Sequence, residues 1–269
     1  MKKMPYSTIY IDKHLKYIRT LLENANQGAG NPDFQWLDNR IQKQAYDWII
    51  NSLHDLFFMY TGDGDTHLQL EQDAKAAKES YYIAACVAAL CYEMVEKGFP
   101  HHVMDSGSPY NFREKNINFS KAAILANEYD LALQIAGTDT VEGALILQDY
   151  AKACKILPDG PEGASIAGDQ LRQCMWAIAH GDEDRFNKYL ENRIKMLRRY
   201  GRLNPVPLDS WGLAAIKLAN RRGIQCHLDV IELPYSLLGD DRPDTSALAF
   251  PREAQIRSIL QNVNPAGSR

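Results

Sequence analysis

The segment that decides the fold is ESYYIAACVAALCYEMVEKGFP, residues 79–100. No Pro or Gly interrupts it before Gly98, and its first half is apolar on nearly all sides, which is typical of a buried helix. Together with the polar residues before it, it predicts a long central helix from about Thr66 to Lys97, which Gly98 and Pro100 end. Its many alanines let neighbouring helices approach closely, so this segment predicts a core of helix packed on helix.

Helical patterns on both sides extend this prediction. Between Ile41 and Tyr60, apolar residues recur at steps of three and four, which places them on one helix face. Downstream, four amphipathic units each end at Gly or Pro: residues 119–137, 140–157, 162–181 and 182–201. A further helix over 208–223 has Asp209 or Ser210 near its N-cap and Gly223 at its end.

These units predict an all-α fold in which antiparallel helix pairs stack into a bundle or a short solenoid-like array. Only IQCHLDVIELP, residues 224–234, has the alternation of a strand, so we expect at most one short strand pair. We predict a single helical domain over residues 1–269. An alternative is two helical halves, 1–97 and 116–269, joined by a loop over 98–115.

Composition limits the class of protein. With 45% apolar and 24% charged residues, the chain has the composition of a soluble globular protein. Its longest apolar stretch, Tyr81 to Tyr92, is far shorter than the roughly 20 residues that span a bilayer, so we predict no membrane association. The five cysteines are odd in number and form no CxxC pair. This pattern predicts reduced thiols and a cytoplasmic location. Four of the cysteines lie within apolar helical runs: Cys86, Cys91, Cys154 and Cys174.

The charge of the chain bears on its partners. A net charge of −4 disfavours direct binding to nucleic acid and suits a basic protein partner. The one basic stripe, NRIKMLRRYGR at residues 192–202, is interpreted as an amphipathic helix with basic residues toward its C-terminus. Acidic clusters, read as solvent-exposed turns between helices, are the candidate partner contacts: Asp182, Glu183, Asp184, Asp240, Asp241, Asp63 and Asp65.

No motif in the sequence predicts a catalytic residue, a metal site or a cofactor. FFMYTGDGDTH, residues 57–67, places Asp63 and Asp65 after an apolar run, as in aspartate phosphatases. However, His67 stands where that motif has Thr or Val, and no alternation of strands and helices surrounds it. Asp63, Asp65 and His67 could serve a metal-dependent all-α enzyme only if they converged with His101 and His102. No Gly-rich nucleotide loop and no GxSxG nucleophile turn occurs.

Two segments of the C-terminal half carry a resemblance to a known family. AIAHGDEDRFNKYLENRI, residues 177–194, is a helix that ends in a GD turn before an amphipathic helix. PLDSWGLAAIKLANRRGIQCHLDVIELPYSLL, residues 207–238, is a helix rich in Ala and Leu that ends at a Gly and leads through an extended segment to a Pro followed by leucines. This region, about a third of the chain, resembles the immunity 49 family of bacterial polymorphic toxin systems. The helical antidotes of the toxins called PoNe are a neighbouring family.

The resemblance implies a function without catalysis. It implies a cytosolic antidote that binds a cognate toxin domain and covers the active site of that toxin. Trp211, within the matching region, is expected to pack inside. The alternative functions are a helical-repeat scaffold or adaptor, which shares the predicted fold, and the metal-dependent enzyme named above.

Overall fold

A computed structural model describes residues 35–99, 117–158, 167–200, 208–235, 238–250 and 252–263, together with the single positions Lys16 and Thr20. From residue 35 onward the described ranges contain eleven α-helices and no β-strand, which confirms the all-α fold. The helices are α1 (Gln35–Gln42), α2 (Tyr46–Thr66), α3 (Ala74–Glu96), α4 (Ile117–Leu125), α5 (Tyr129–Ala136), α6 (Val141–Ile146), α7 (Tyr150–Ile156), α8 (Ala167–His180), α9 (Glu183–Tyr200), α10 (Ser210–Arg222) and α11 (Glu253–Asn262).

Helices that follow one another in the chain pack against each other as pairs. The pairs are α2 with α3, α4 with α5, α6 with α7, and α8 with α9. Each pair also contacts the next, and α10 lies across the stack on α4 and α8. Arg252, at the start of α11, forms a two-pronged ion pair with Asp38 of α1 at 2.6 and 2.7 Å. The stack of helix pairs therefore agrees with the prediction from the sequence.

Three of the pairs turn through the same short motif. Asn127, Gln148 and Gly181 each adopt a left-handed backbone conformation with φ of 64°, 59° and 70°. In each case the next residue is acidic, and its N–H bonds to a carbonyl five positions earlier, as Glu128 does to Ala123 at 2.9 Å. This arrangement satisfies the last carbonyls of the first helix while the acidic residue begins the second. The same motif therefore sets the geometry of consecutive hairpins.

Two of these turns correct the predicted helix lengths. Residues 119–137 and 140–157 each form two short helices, α4 with α5 and α6 with α7, rather than one longer unit. The breaks lie at Asn127 and Gln148, which are not the Gly or Pro that the sequence analysis used as helix ends. Asn tolerates the left-handed conformation and Gln accepts it here because the surrounding hydrogen bonds are made.

The boundary between α2 and α3 also differs from the prediction. Thr66 does not start the central helix, because α2 runs through it and continues as one π-helical turn, His67–Glu71. Asp73 then caps α3 by accepting the Ala76 N–H at 3.0 Å, so the helix begins at Ala74. Its predicted end is confirmed, since Lys97 is its C-cap residue and Gly98 follows with φ of 80°. The predicted acidic turn at Asp63 and Asp65 is wrong because both residues lie within α2.

The predicted bounds of α10 are confirmed. Asp209 is its N-cap residue and Gly223, with φ of 86°, ends it. The strand-like residues that follow form no strand. Asn187 of α9 nevertheless holds two of them in place, because its side-chain amide donates to the Gln225 carbonyl at 2.8 Å and accepts the His227 N–H at 2.7 Å.

One hydrophobic cluster joins the described helices, from Leu37 in α1 to Leu260 in α11. Cys91 and Cys174 are buried in it, while Cys86 and Cys154 pack against it as free thiols. The packing is closest where α5 gives way to α6. A Cβ atom on Gly143 would lie 1.8 Å from the Gly137 carbonyl oxygen, so only glycine allows the two backbones to approach in this way.

None of the described helices is both long enough and apolar enough to cross a bilayer. Of the loop predicted over residues 98–115, only Gly98 and Phe99 are among the described residues.

Candidate functional site

Two groups of polar residues stand out in the described structure. The first, which we call the buried polar centre, is composed of Asp65, Tyr81, Lys121, Arg193, Asp209 and Trp211. They come from α2, α3, α4, α9 and α10, with Asp209 just before α10. The second lies at the helix turns. Charged groups are rarely buried unless they are paired or functional, which makes the centre a candidate site.

Arg193 and Asp209 form the strongest interaction of the buried polar centre. Arg193 Nε donates to Asp209 Oδ2 at 2.6 Å and Nη2 donates to Oδ1 at 2.7 Å. Both side chains are only 3% exposed. Burial opposes the charge of Arg193, but the carboxylate and its hydrogen bonds outweigh burial and raise the pKa of the guanidinium. The Asp209 carboxylate makes no capping bond to α10, and it faces α9 instead.

Asp65 and Tyr81 form the second interaction. The Tyr81 hydroxyl donates to Asp65 Oδ1 at 2.8 Å, and burial, followed by the charge of Asp65, raises the tyrosine pKa. Gly64 permits this contact, because a Cβ there would lie 2.6 Å from the Tyr81 ring. Asp65 is 2% exposed. It is therefore not available to a partner, contrary to its place among the candidate contacts.

Lys121 differs from the other charged groups of the centre. It is 6% exposed, yet its ammonium makes no hydrogen bond or ion pair with any described residue. It lies 4.9 Å from the centre of the Trp211 ring, which also faces Arg193 at 5.4 Å. Burial lowers the pKa of Lys121 to about 8, against the opposing charges of Asp65 and Asp209. A lysine of this kind is partly neutral near pH 8 and can accept or donate a proton.

The sequence analysis missed Lys121 because a single lysine in the apolar run FSKAAILA carries no motif. It did expect Trp211 to pack inside, and Trp211 is partly buried against the core.

Asp63 and His67 do not join the buried polar centre. Ser80 Oγ donates to Asp63 Oδ2 at 2.6 Å. His67 places Nε2 3.4 Å from Asp63 and Nδ1 2.5 Å from Glu71 Oε2. Asp65 points away from them because residues two apart lie on different faces of a helix.

The metal hypothesis is not supported within the described part of the chain. There, no group of three or more His, Cys, Asp or Glu residues is arranged to hold a metal ion. His101 and His102 lie outside the described residues.

The second polar group lies where the stacked hairpins turn. We call it the acidic turn face and define it by Glu128, Asp149, Asp182, Glu183, Asp184, Asp240 and Asp241. The C-terminal end of α10 gathers three of the turns. Arg221 donates to the Ile146 carbonyl at 2.8 Å and its guanidinium lies 4.0 Å from the Tyr129 ring. Arg222 lies 3.9 Å from the Tyr150 ring and also borders Gly181.

A fourth segment, residues 238–241, joins the same end of the molecule. Asn127, in the turn between α4 and α5, donates through Nδ2 to the carbonyls of Gly239 and Asp241 at 2.9 and 2.7 Å. The two acidic clusters predicted around residues 182–184 and 240–241 are thus brought to one end of the helical stack, although more than 50 residues of sequence separate them.

Most carboxylates of the acidic turn face have structural roles. Asp182 accepts the Arg185 N–H at 3.0 Å as a helix cap. Glu183 accepts the Gln225 N–H at 2.8 Å and contacts His227 at 2.9 Å, and these contacts lower its pKa. Asp184 and Asp240 are exposed, and neither forms a hydrogen bond or ion pair with a described residue. These two exposed carboxylates therefore keep their oxygens available to another molecule.

The basic stripe is used inside the protein. Besides Arg193, Arg198 forms a two-pronged pair with Glu232 at 2.6 and 2.7 Å, and Glu232 is buried. Lys195 pairs with Glu191 on the same helix at 2.8 Å. Two of its arginines therefore hold the segments around Asp209 and Glu232 against α9.

Comparison of the chain with protein-family models, with curated proteins and with solved structures gave no match in any of the three.

Proposed function

We propose that this chain is an immunity protein, which binds a cognate toxin domain of a bacterial polymorphic toxin system and neutralises it by covering its active site. The observation that carries the proposal is the acidic turn face, with Asp184 and Asp240 exposed and uncommitted at one end of the helical stack. The resemblance supports the same conclusion, since residues 177–194 and 207–238 include the turn between α8 and α9 and the helix that gathers the turns.

The chemistry of the acidic turn face suits a basic protein surface. The acidic residues of this face lie on short turns or, like Asp184, in the first turn of a helix, so little backbone entropy is lost when a partner binds. A concentrated negative potential also accelerates encounter with a positively charged partner. Asp182, Glu183 and Asp241 add to this potential even though their oxygens already accept internal hydrogen bonds.

Neutralisation by binding requires no reaction on this chain. An antidote that occupies the substrate site of a toxin must only associate tightly and dissociate slowly. Asp63 and Asp65 are not part of this proposal, because both carboxylates accept hydrogen bonds from α3.

Co-expression tests the proposal. The C-terminal domain of the protein encoded immediately upstream is produced in bacteria with and without this chain, and survival and co-purification are scored. We expect this chain to restore growth and to purify with that domain. If the domain is harmless, or if it kills equally well in the presence of this chain, the proposal is wrong.

Charge reversal locates the surface. We expect Asp184→Lys combined with Asp240→Lys to weaken the complex by roughly tenfold or more, chiefly through the association rate. Asp55→Lys is the matched control, because Asp55 is 68% exposed in the middle of α2 and not at a turn. Equal effects of the two changes would place the contact elsewhere on the chain.

A general adaptor is the second candidate. Stacked helix pairs with a repeated turn motif are the architecture of helical-repeat scaffolds, which bind partners along an extended surface. The same co-purification distinguishes the two functions, since an adaptor retains several unrelated partners and gives no protection.

A further inference from the structure

We infer that residues 238–241 form a binding site for a primary ammonium group, and that Lys78 occupies this site as an internal ligand which holds the segment in the acidic turn face. The site itself is independent of the proposed function. Its consequence for partner binding rests on that function.

The hydrogen bonds of Lys78 define the site. Its Nζ atom donates to the Gly239 carbonyl at 2.8 Å, to the Asp241 carbonyl at 3.0 Å and to Asp241 Oδ1 at 2.8 Å. An ammonium group has three N–H donors, so each has its own oxygen acceptor. Lys78 is 1% exposed and extends from α3 to a segment more than 160 residues away in sequence.

The other buried lysines of the described structure lack such a site. Lys217 Nζ lies 3.5 Å from the Leu238 carbonyl and 3.4 Å from that of Gly239, which is too long for strong hydrogen bonds. Lys121 has no acceptor among the described residues. Only Lys78 therefore meets a complete set of oxygens, including a carboxylate that balances its charge, and its hydrogen bond lowers the pKa of Asp241.

The segment depends on these donors for its position. Residues 238–241 contain neither helix nor strand, so no regular hydrogen-bond ladder holds them. Lys78 and Asn127 approach from two different parts of the stack and both donate to the carbonyls of Gly239 and Asp241. Asp240 lies between Gly239 and Asp241, whose carbonyls accept these hydrogen bonds. This fixes the backbone that holds the exposed Asp240 carboxylate at the acidic turn face.

Chemical rescue tests the site. Lys78→Ala removes three methylene groups and the ammonium, and n-propylammonium is the molecule that matches what is lost. We expect hydrogen exchange in a peptide covering residues 238–244 to become at least about tenfold faster in Lys78→Ala. Added n-propylammonium should restore slow exchange, because the site opens toward solvent at Asp241, which is 74% exposed.

Three controls separate ammonium binding from simple filling of space. The neutral analogue n-propanol and the cation tetramethylammonium, which has no N–H donor, should not restore slow exchange. Lys75→Ala, one turn earlier on α3 at a 79% exposed position, should leave exchange unchanged. Unchanged exchange in Lys78→Ala, or equal rescue by n-propanol, would overturn the inference.

A second route covers the case in which Lys78→Ala fails to fold. Lys78→Met keeps most of the packing and removes only the donors and the charge. Asn127→Gly keeps the left-handed backbone, which glycine adopts freely, and removes two hydrogen bonds to the same carbonyls. Both variants should accelerate exchange in residues 238–244, and unchanged exchange in both would overturn the inference.

Binding to the upstream toxin domain tests the consequence for the partner. We expect Lys78→Met to weaken binding about as much as Asp240→Lys, and the two effects to be less than additive because they act on one contact. If the wild-type chain binds and Lys78→Met binds equally well, Lys78 does not position a partner contact. If the wild-type chain does not bind, the proposed function fails, and exchange with rescue still decides the ammonium site.

Discussion

The buried polar centre and the acidic turn face both contain aspartates, yet the fold uses them in opposite ways. In the centre, Asp65 accepts a hydrogen bond from Tyr81 and Asp209 pairs with Arg193. At the turn face, Asp184 and Asp240 remain exposed without an internal partner. The difference teaches that the residue type and its neighbours in the sequence do not decide the role of an aspartate. The donors that tertiary packing brings to the carboxylate decide it, because Tyr81 and Arg193 reach the aspartates of the centre and no described residue donates to Asp184 or Asp240.

The comparison separates stability from recognition. Charges buried in the centre are expensive to leave unpaired, so changes there should alter the free energy of unfolding. Carboxylates at the turn face are solvated, so changes there should alter association and leave stability nearly unchanged. The following predictions test this separation, from the largest expected effect to the smallest.

Breaking the buried ion pair should have the largest effect. Arg193→Met leaves the Asp209 carboxylate buried without its cation, and we expect the free energy of unfolding to fall by about 3–5 kcal/mol. Urea denaturation followed by circular dichroism measures it. Adding Asp209→Asn should recover part of the loss, since a neutral amide no longer needs the cation. Lys195→Met, on the exposed side of α9, is the control, and a similar loss there would contradict the prediction.

A single methyl group at Gly64 should have the next largest effect. Gly64→Ala normally favours a helix, but its Cβ would lie 2.6 Å from the buried Tyr81 ring. We expect a net destabilisation of about 1–3 kcal/mol, measured by the same denaturation. In a Tyr81→Leu background the substitution should be less harmful, because the ring is absent. An equal loss in both backgrounds would show that the ring is not the cause.

The third prediction concerns the pH dependence of Lys121. Its pKa of about 8 in the folded chain lies below the ordinary 10.5, so the unfolded chain binds more protons between these values. The free energy of unfolding therefore rises with pH across that interval. Below about pH 8, where the buried ammonium is charged, Lys121 destabilises the folded chain by its full amount. Relative to wild type, Lys121→Met should be more stable near about pH 7, by up to about 3 kcal/mol, and should lose most of this advantage by about pH 10.

Denaturation of both proteins over this pH range measures the difference, which isolates Lys121 from the thiols and tyrosines that also titrate there. Lys75→Met, at an exposed position, is the control and should show no such trend. A difference between Lys121→Met and wild type that stays constant with pH would contradict the prediction.

Charge changes at the acidic turn face should have the smallest effect on stability. Asp184→Lys and Asp240→Lys each remove a carboxylate that has no internal partner, so we expect changes within about 0.5 kcal/mol. Thermal unfolding measures them. A loss as large as that of Arg193→Met would mean that the turn face is part of the structural framework, and the contrast between the two regions would disappear.

Much of the helical architecture could be predicted because helix signals are local. The end of α3 at Gly98 and both ends of α10 follow from periodicity and capping residues within a few positions. The breaks at Asn127 and Gln148 were missed, because neither residue demands a left-handed conformation in the way that a turn glycine suggests it. The π-helical turn after Thr66 gave no local signal either.

The candidate site was predicted only in part, because the sequence reveals local turns but not contacts between distant residues. Asp182 was placed correctly at a turn, since the Gly181 before it marks one, whereas Glu183 and Asp184 belong to the first turn of α9. Asp63 and Asp65 were misplaced, because two glycines alternating with two aspartates are typical of a turn, whereas here this segment is helical. Lys78 and Lys121 were not predicted at all.

By itself, then, the sequence of this protein determined the all-α class, several helix ends and the acidic surplus, which depend on neighbouring residues and on composition. Only the tertiary structure decided which charges are buried, which are paired and which remain free. Arg193 meets Asp209 across 16 residues, while Lys78 meets Asp241 across 163. A charge can be buried where the fold packs an oppositely charged, hydrogen-bonding group from a distant part of the chain against it. No local pattern of residues determines which distant group that is.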